Sequence, residues 1–513
     1  MKIERKKNAI RNTKWGVLQK VINLILPFLV RTVLIYALSA EYSGLSSLFT
    51  SILQVLSLTE LGFSNAIVYS MYKPIAEDDT DAICALLNLY RKAYNIIGTV
   101  ILVLGLALVP FLPHLINGDV PDGINLYLLY FIYLFNTVIS YYLFAYKTCL
   151  LTAYQREDKL SKNSLIYNLF CYITQCVVLI VFRNYYVFAI ILPVSTIILN
   201  ILNNNSVKKL FPNIIPKGNV SEEKKKTLKK DIIGLLIWKI GGMTRNTFDS
   251  VVVSFYLGLT VVTIYNNYFF IISGVNTILG VICSSISAGV GNKIAVESSE
   301  TNYSDFQRFH FCYMWIAGLC CICLMCLFQP FMKFWMGEEL MFDNTTMFMF
   351  CYYFIMMKQG DINSVYYQAA GLWWHGKYRS IIEAFINLSL NILLGKFFGV
   401  KGIILATIIS FSCIYFYGSR IVFVNYFKNK KDILFFGENI LFLVLTFGTG
   451  FLTYLCGDYI VDKLVLSNSV LIMAVKLVAC FIIPNIVFFS CYSLNKRYRG
   501  YIKGVFSLIL RKV

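Results

Sequence analysis

Apolar runs of about twenty residues recur along the chain from Trp15 to Ser490, separated by short polar segments. A run of that length crosses about 30 Å of hydrocarbon as a helix, so the pattern predicts roughly fourteen membrane spans. The predicted helix centres lie near Leu26, Leu56, Leu104, Leu134, Thr174, Val194, Gly242, Val275, Leu319, Phe354, Leu388, Ile408, Leu445 and Val475. No stretch remains for a sizeable soluble domain. The predicted fold class is therefore an all-α polytopic membrane protein.

The charged residues follow the same division of the chain into apolar runs and short polar segments. Charged residues make up only 14% of the chain and hydrophobic residues 58%, whereas soluble domains carry about a quarter charged residues. The net charge of +19 comes from short basic clusters between apolar runs, which excludes a continuous nucleic-acid surface. An even helix count puts both termini on one face, which then holds about thirty-five Lys and Arg against about five on the other. The positive-inside rule therefore predicts cytoplasmic termini.

The two halves of the chain carry a shared motif. The residues Arg31, Tyr42, Gly44 and Leu45 recur at unchanged spacing as Arg245, Tyr256, Gly258 and Leu259. The offset of about 214 positions contains six helices, which predicts two parallel six-helix lobes followed by a C-terminal helix pair. The predicted divisions are an N-lobe at 1–202, a basic cytoplasmic linker at 203–230, a C-lobe at 231–427, helices thirteen and fourteen at 428–493, and a basic amphipathic cytoplasmic tail at 494–513.

Ionisable residues inside the predicted helices are mainly basic. Such groups are costly in hydrocarbon and normally face a hydrated interior, so they mark a candidate pathway. The candidate substrate-binding cations are Lys20, Arg31, Lys239, Arg245 and Lys358. The candidate charge-balancing acids are Glu60, Asp249, Asp361 and Glu383. The surplus of cations predicts an anionic ligand, and the arginine fork suits phosphate.

Some of these cations have structural alternatives. Arg245 and Asp249 are four residues apart, and Lys358 and Asp361 three, so each pair can form a salt bridge that only locks helices together. Lys20 lies near a predicted membrane end and can extend towards lipid headgroups instead.

Other chemistry is excluded by the sequence. Nearly all of the fifteen cysteines lie inside apolar runs, where a free thiol behaves as a small hydrophobe, so we predict no metal site, including at the crowded 320–326 segment. The sequence contains no glycine-rich phosphate loop, so it gives no indication of a nucleotide-driven pump. The longest predicted external loops, 112–123 and 331–345, are too short for a catalytic domain. We therefore predict that the chain is not an enzyme and has no cofactor.

The segment 31–79 resembles the N-terminal signature of Wzx-type polysaccharide flippases, members of the multidrug, oligosaccharidyl-lipid and polysaccharide exporter superfamily. The matching residues are Arg31, Tyr42, Gly44, Leu45, Glu60, Leu61, Gly62, Phe63, Lys73, Pro74, Ile75 and Ala76. The resemblance implies two lobes around a cationic cavity that works by alternating access, with Arg31 and Arg245 as cavity arginines. It also implies a bacterial cytoplasmic membrane protein.

The same resemblance implies a substrate and partners. The substrate would be an undecaprenyl-pyrophosphate-linked oligosaccharide used for O-antigen or capsule, and membrane lipids, a polysaccharide polymerase and glycosyltransferases would be partners. Nucleic acid would not be one. Three alternatives stay open at this point: a lipid II-type flippase with a similar basic cavity, a cation-coupled drug exporter, and a membrane glycan polymerase.

Overall fold

The computed structural model describes residues 5–57, 63–118, 120–372, 375–376, 378–428, 430, 432–465 and 468–510. These residues are almost entirely helical and include no strand, which confirms the predicted all-α class. The α-helices are α1 (Arg5–Ala37), α2 (Ala40–Leu56), α3 (Phe63–Ala76), α4 (Thr80–Leu108), α5 (Leu126–Tyr142), α6 (Thr148–Ala153), α7 (Glu157–Val181), α8 (Tyr185–Leu210), α9 (Glu222–Leu257), α10 (Leu259–Val296), α11 (Ser299–Met336), α12 (Asn344–Gln359), α13 (Asp361–Ala369), α14 (Arg379–Val422), α15 (Asp432–Lys463), α16 (Ser469–Ser493) and α17 (Lys496–Leu510).

Within these ranges, nine helices are long and apolar enough to cross a membrane, or ten if a bent pair counts as one span. The chain is thus a multi-pass membrane protein. The bent pair consists of α5, which contains the predicted helix centre Leu134, and the 145–153 segment. The two are bent by 47° relative to each other. A second predicted span, centred near Phe354, is interrupted at Gly360, between α12 and α13. The predicted total of fourteen spans stays a prediction.

Helix α14 contains two predicted spans in one continuous range. Gly399 has φ 58° and ψ −137°, which breaks the helix near its middle. The Asn387 amide nitrogen lies 3.1 Å from the Thr407 hydroxyl, although twenty residues of straight helix would separate them by about 30 Å. The two arms of α14 therefore fold back on each other. Their positions agree with the predicted helix centres at Leu388 and Ile408.

The chain forms two compact units, Met1–Thr263 and Ile264–Val513. In the first unit, α1 packs along α7 and α7 along α8. Polar side chains cross both interfaces: the Asn168 amide donates to Asn23 at 2.5 Å and the Asn163 amide to Asn203 at 2.9 Å. Such bonds hold helices together where lipid provides no hydrophobic drive. These units are defined by contacts within the structure, whereas the predicted lobes are defined by the sequence repeat. The units therefore do not test the lobe boundaries at 202 and 231, which stay a prediction.

The predicted linker at 203–230 is largely ordered helix. Helix α8 continues to Leu210 and α9 begins at Glu222, which leaves only 211–221 as connection. That connection packs on the first unit: Phe211 is buried with its ring 4.5 Å from that of Tyr154, and the Asn88 amide donates to the Gly218 carbonyl at 2.8 Å.

In the second unit, α11 packs against α12, α15 and α16. The predicted amphipathic tail forms α17, and its first turns dock on this core. The Tyr498 ring is buried and stacks on Phe311 at 4.9 Å, while Arg497 forms an ion pair with Glu438. This part of the tail is therefore attached to α11 and α15, in addition to any contact with a membrane surface.

Candidate functional site

Arg31, a predicted substrate ligand, lies on α1 and is half-buried. Its Nη2 donates to the backbone carbonyl of Thr263 at 3.2 Å. The Thr263 hydroxyl in turn donates to the Ala40 carbonyl at 2.6 Å. Arg31 therefore stands at a junction between α1, the start of α2 and the start of α10, where it can act on a ligand and also hold the junction.

The two copies of the repeated motif meet beside this junction. A Cβ atom added at Gly44 would lie 2.1 Å from the Leu259 carbonyl oxygen, so the backbones of α2 and α10 touch there. Gly258 has φ 85°, a conformation that glycine adopts without strain. The Thr260 hydroxyl donates to the Glu41 carboxylate at 3.2 Å, which adds a polar contact across the same interface. Close backbone approach explains the glycine at position 44, and the positive φ explains the glycine at position 258.

This close approach makes a specific prediction. Gly44→Ala should lower the free energy of unfolding by about 1–3 kcal/mol, because its methyl group must displace backbone atoms and cannot be accommodated by a flexible side chain. Thermal unfolding of the purified protein measures the change. Gly16→Ala on α1 is the matched control, since no atom lies within 4 Å of its added Cβ. Equal effects at Gly16 and Gly44 would contradict the packing explanation.

The other predicted residues of the first unit are spread along two helices. Lys20 is exposed on α1, and Asp249 is fully buried on α9. Lys239 and Arg245 also belong to α9, but their side chains lie outside the described residues. Glu60 lies outside them altogether. The predicted pairing of Arg245 with Asp249 thus stays a prediction.

In the second unit, Lys358 and Asp361 form the ion pair that their spacing predicts. The Lys358 Nζ lies 2.7 Å from the Asp361 Oδ2, and the lysine side chain is only 7% exposed against 30% for the aspartate. The Tyr313 hydroxyl on α11 donates to the same carboxylate oxygen. Because α12 ends just before Gly360 and α13 begins at Asp361, the pair bridges a helix break. We call Lys358, Asp361 and Tyr313 the charged cluster.

Sequence reasoning missed two polar features of this unit. Tyr313 joins the charged cluster from 48 positions away, and the nearly buried Lys476 on α16 forms an ion pair with the partly exposed Asp458 on α15 at 2.5 Å. Neither partner lies within a helical turn of the other in sequence, so no spacing rule could find them. Glu383 is buried on α14, the helix that also carries the buried contact of Asn387 with Thr407.

The second unit also contains an apolar cavity of about 630 Å³, whose lining on α11 begins at Ile316, about one helical turn beyond Tyr313. Its lining comes from α10, α11 and α16 and contains only apolar residues and cysteines. The lining residues are Ile271, Val275, Ile316, Leu319, Cys320, Cys323, Leu324, Leu327, Phe328, Phe331, Val470, Met473, Ala474, Leu477 and Phe481. Ile316 and Cys320 follow Tyr313 at three and seven residues, so all three share one face of α11. The cavity and the charged cluster are therefore neighbours along that face.

Sequence comparison matches the chain to no family profile and to no curated protein. Solved structures do match it. The lipid II flippase MurJ in an inward closed conformation has a TM-score of 0.65 and 16% identity, covering 94% of this chain and 99% of that one. An inward-facing multidrug resistance MATE transporter of the MOP superfamily has a TM-score of 0.61 and 11% identity, covering 82% and 100%.

A third match is a MOP superfamily transporter from Pyrococcus furiosus described by the reversed polarity of its binding pocket. Its TM-score is 0.53 at 12% identity, covering 83% of this chain and 97% of that one. At such identities the comparison establishes architecture. The chain has the helical fold shared by MATE transporters and the MurJ flippase.

Proposed function

We propose that this protein flips a polyprenyl-pyrophosphate-linked oligosaccharide across the bacterial cytoplasmic membrane for surface polysaccharide assembly. The observation that carries the proposal is that α11 carries Tyr313 of the charged cluster about one helical turn from the first of its residues that line the apolar cavity. An amphipathic lipid needs both environments, one for its prenyl chain and one for its charged head. The cavity volume of about 630 Å³ can take part of an isoprenoid chain.

The basic residues supply the chemistry for the head group. Arg31 in the first unit and Lys358 in the second offer cationic donors within the helical part of the chain. Pyrophosphate is an anion, and moving it through a low-dielectric region requires compensating charge. Arg245, Lys239 and Lys20 complete the proposed cation set. Asp249, Asp361, Glu60 and Glu383 are proposed to balance and orient these cations.

A lipid II-type flippase is the second candidate. The MurJ structure covers 94% of this chain, whereas the matched MATE transporters cover 81–83%, so MurJ matches more of the chain. Both candidates flip a prenyl-linked glycan and differ in its sugars. A drug exporter is disfavoured by the surplus of cations among the predicted site residues.

Deletion of the gene distinguishes these candidates. The proposed function predicts that a polyprenyl-linked repeat unit accumulates on the inner leaflet while peptidoglycan synthesis continues. Accumulation of the peptidoglycan precursor would instead support the lipid II candidate. If no lipid-linked glycan accumulates and only drug sensitivity changes, the proposed function is wrong.

The proposed orientation has its own test. Both termini and the 211–221 connection should be cytoplasmic, because the face that they share carries most Lys and Arg. A cysteine introduced at the exposed Asn219 should react with an impermeant maleimide only after cells are opened. Asp122→Cys, at an exposed position of the predicted external loop, is the control and should react in intact cells. The reverse labelling pattern would overturn the orientation.

A further inference from the structure

Lys147 occupies an unusual position in the first unit. It ends a short 3-10 turn between α5 and α6 and is half-buried, with its Nζ 5.1 Å from the Phe144 ring centroid and 6.0 Å from that of Tyr146. Its Nζ donates to the Asn204 side-chain oxygen on α8 at 2.6 Å. An ammonium group has three donors, so this bond leaves two of them for another partner.

The charged groups around Lys147 have the same sign. Lys208 lies one helical turn beyond Asn204 on α8, so it shares a helix face with the residue that accepts the Lys147 hydrogen bond. Arg91 is an exposed residue of α4, a helix that packs against the 145–147 turn. The three cations therefore belong to three elements that pack together, because α4 and α8 both contact the 145–147 turn.

Two carboxylates of the first unit pair with cations other than Lys147. Asp81 pairs with Lys217 at 3.4 Å, and Asp158 pairs with Arg156 at 2.9 Å. Across the described ranges, no ion pair includes Lys147. A half-buried cation that is surrounded by like charge is unfavourable until an anion neutralises it.

We propose that Lys147, Lys208 and Arg91 form a binding site for the phosphate group of a lipid head. Lys147 would supply a desolvated donor, Arg91 a planar fork that matches phosphate oxygens, and Lys208 additional charge. Lys208 lies two residues before the end of α8 at Leu210, and helix ends of a membrane protein meet the headgroup layer. It requires neither Arg31 nor the charged cluster, and binding to it is measured without transport.

Native mass spectrometry of the full-length protein in a phosphate-free detergent tests the site. Phosphatidylglycerol and polyprenyl phosphate are titrated separately, which distinguishes a bilayer lipid from a carrier lipid. Lys147→Gln and Lys208→Gln should each weaken binding of at least one of these lipids by about tenfold, because each removes a charge-assisted contact. Lys147→Arg should bind within about threefold of the wild type because it keeps the charge.

Lys209→Gln is the matched control, since it removes the same charge from the neighbouring exposed position of α8. It should leave both affinities unchanged. Because Lys208 is exposed, Lys208→Gln should fold normally, and it tests the site even if Lys147→Gln misfolds. If the test variants bind only one of the two lipids more weakly, the site is assigned to that lipid. If they bind both more weakly, it is assigned to lipid phosphate in general. Unchanged binding in both test variants, or equal weakening by Lys209→Gln, would overturn the proposal.

Discussion

Arg31→Ala should reduce glycan export about ten- to hundredfold in a deletion strain while the protein remains inserted at normal abundance. The expected loss corresponds to one charge-assisted contact with the substrate phosphate, worth about 1.5–3 kcal/mol. Arg245→Ala should behave similarly if the two repeat copies act together. Lysine at either position should restore only part of the activity, because it keeps the charge and loses the two-point fork. Export and membrane abundance are measured for each variant.

A structural control is needed because Arg31 also holds the Thr263 carbonyl. Thr263→Val removes the neighbouring bond to the Ala40 carbonyl at the same junction and changes no charge. If export depends on Arg31 as a phosphate ligand, Thr263→Val should export nearly normally. Equal losses in Thr263→Val and Arg31→Ala would show that both act through the junction.

Asp361→Asn should lower the free energy of unfolding by about 3 kcal/mol, the low end for a broken buried ion pair because Asp361 is partly exposed. The substitution leaves the nearly buried Lys358 without its counter-charge. Tyr313→Phe should cost about 1.5 kcal/mol, since it removes a single hydrogen bond to the partly exposed carboxylate and leaves the ion pair in place. Thermal or denaturant unfolding in detergent measures both changes.

The charge swap extends this test to function. A Lys358→Asp variant that also carries Asp361→Lys should recover more stability and export than either single variant, because it restores the pair across the helix break. Recovery would support an orienting role for Asp361. No recovery, together with normal stability of Asp361→Asn, would indicate that the carboxylate binds a transported cation, as in a drug exporter.

The fold was largely predictable because hydrophobic runs of membrane length carry a strong signal. Even the α14 hairpin was predicted as two helices, from apolar runs centred near Leu388 and Ile408. The breaks were not predicted. Gly360 separates α12 from α13 inside one apolar run, and the chain bends between α5 and α6. Hydropathy does not show such breaks, because they change the local backbone geometry and leave the apolar run intact.

The charged cluster was predictable only in part. Lys358 and Asp361 lie within one helical turn, and their pairing followed from spacing. Tyr313 and the pair of Lys476 with Asp458 come together only through helix packing. The apolar cavity depends on which faces of α10, α11 and α16 meet, and a helix apolar on all sides gives no indication of that face.

The proposed transport needs no nucleotide. Pyrophosphate carries about two negative charges, and moving each outward from an inside-negative cell gains about 2.3 kcal/mol per 100 mV, so the membrane potential alone supplies roughly 4–5 kcal/mol. The protein then has to lower the barrier for a doubly charged head. That is the role proposed for Arg31 and the other site cations.

Purified protein in vesicles tests this claim most directly. A labelled polyprenyl-pyrophosphate oligosaccharide is placed in the membrane, and an impermeant glycosidase reports the fraction of glycan on the outer leaflet over time. Wild-type protein should move the glycan much faster than protein-free vesicles do, and a potential positive on the receiving side should accelerate this movement. Arg31→Ala should slow the movement about ten- to hundredfold. Movement no faster than in protein-free vesicles would contradict the proposed flippase function.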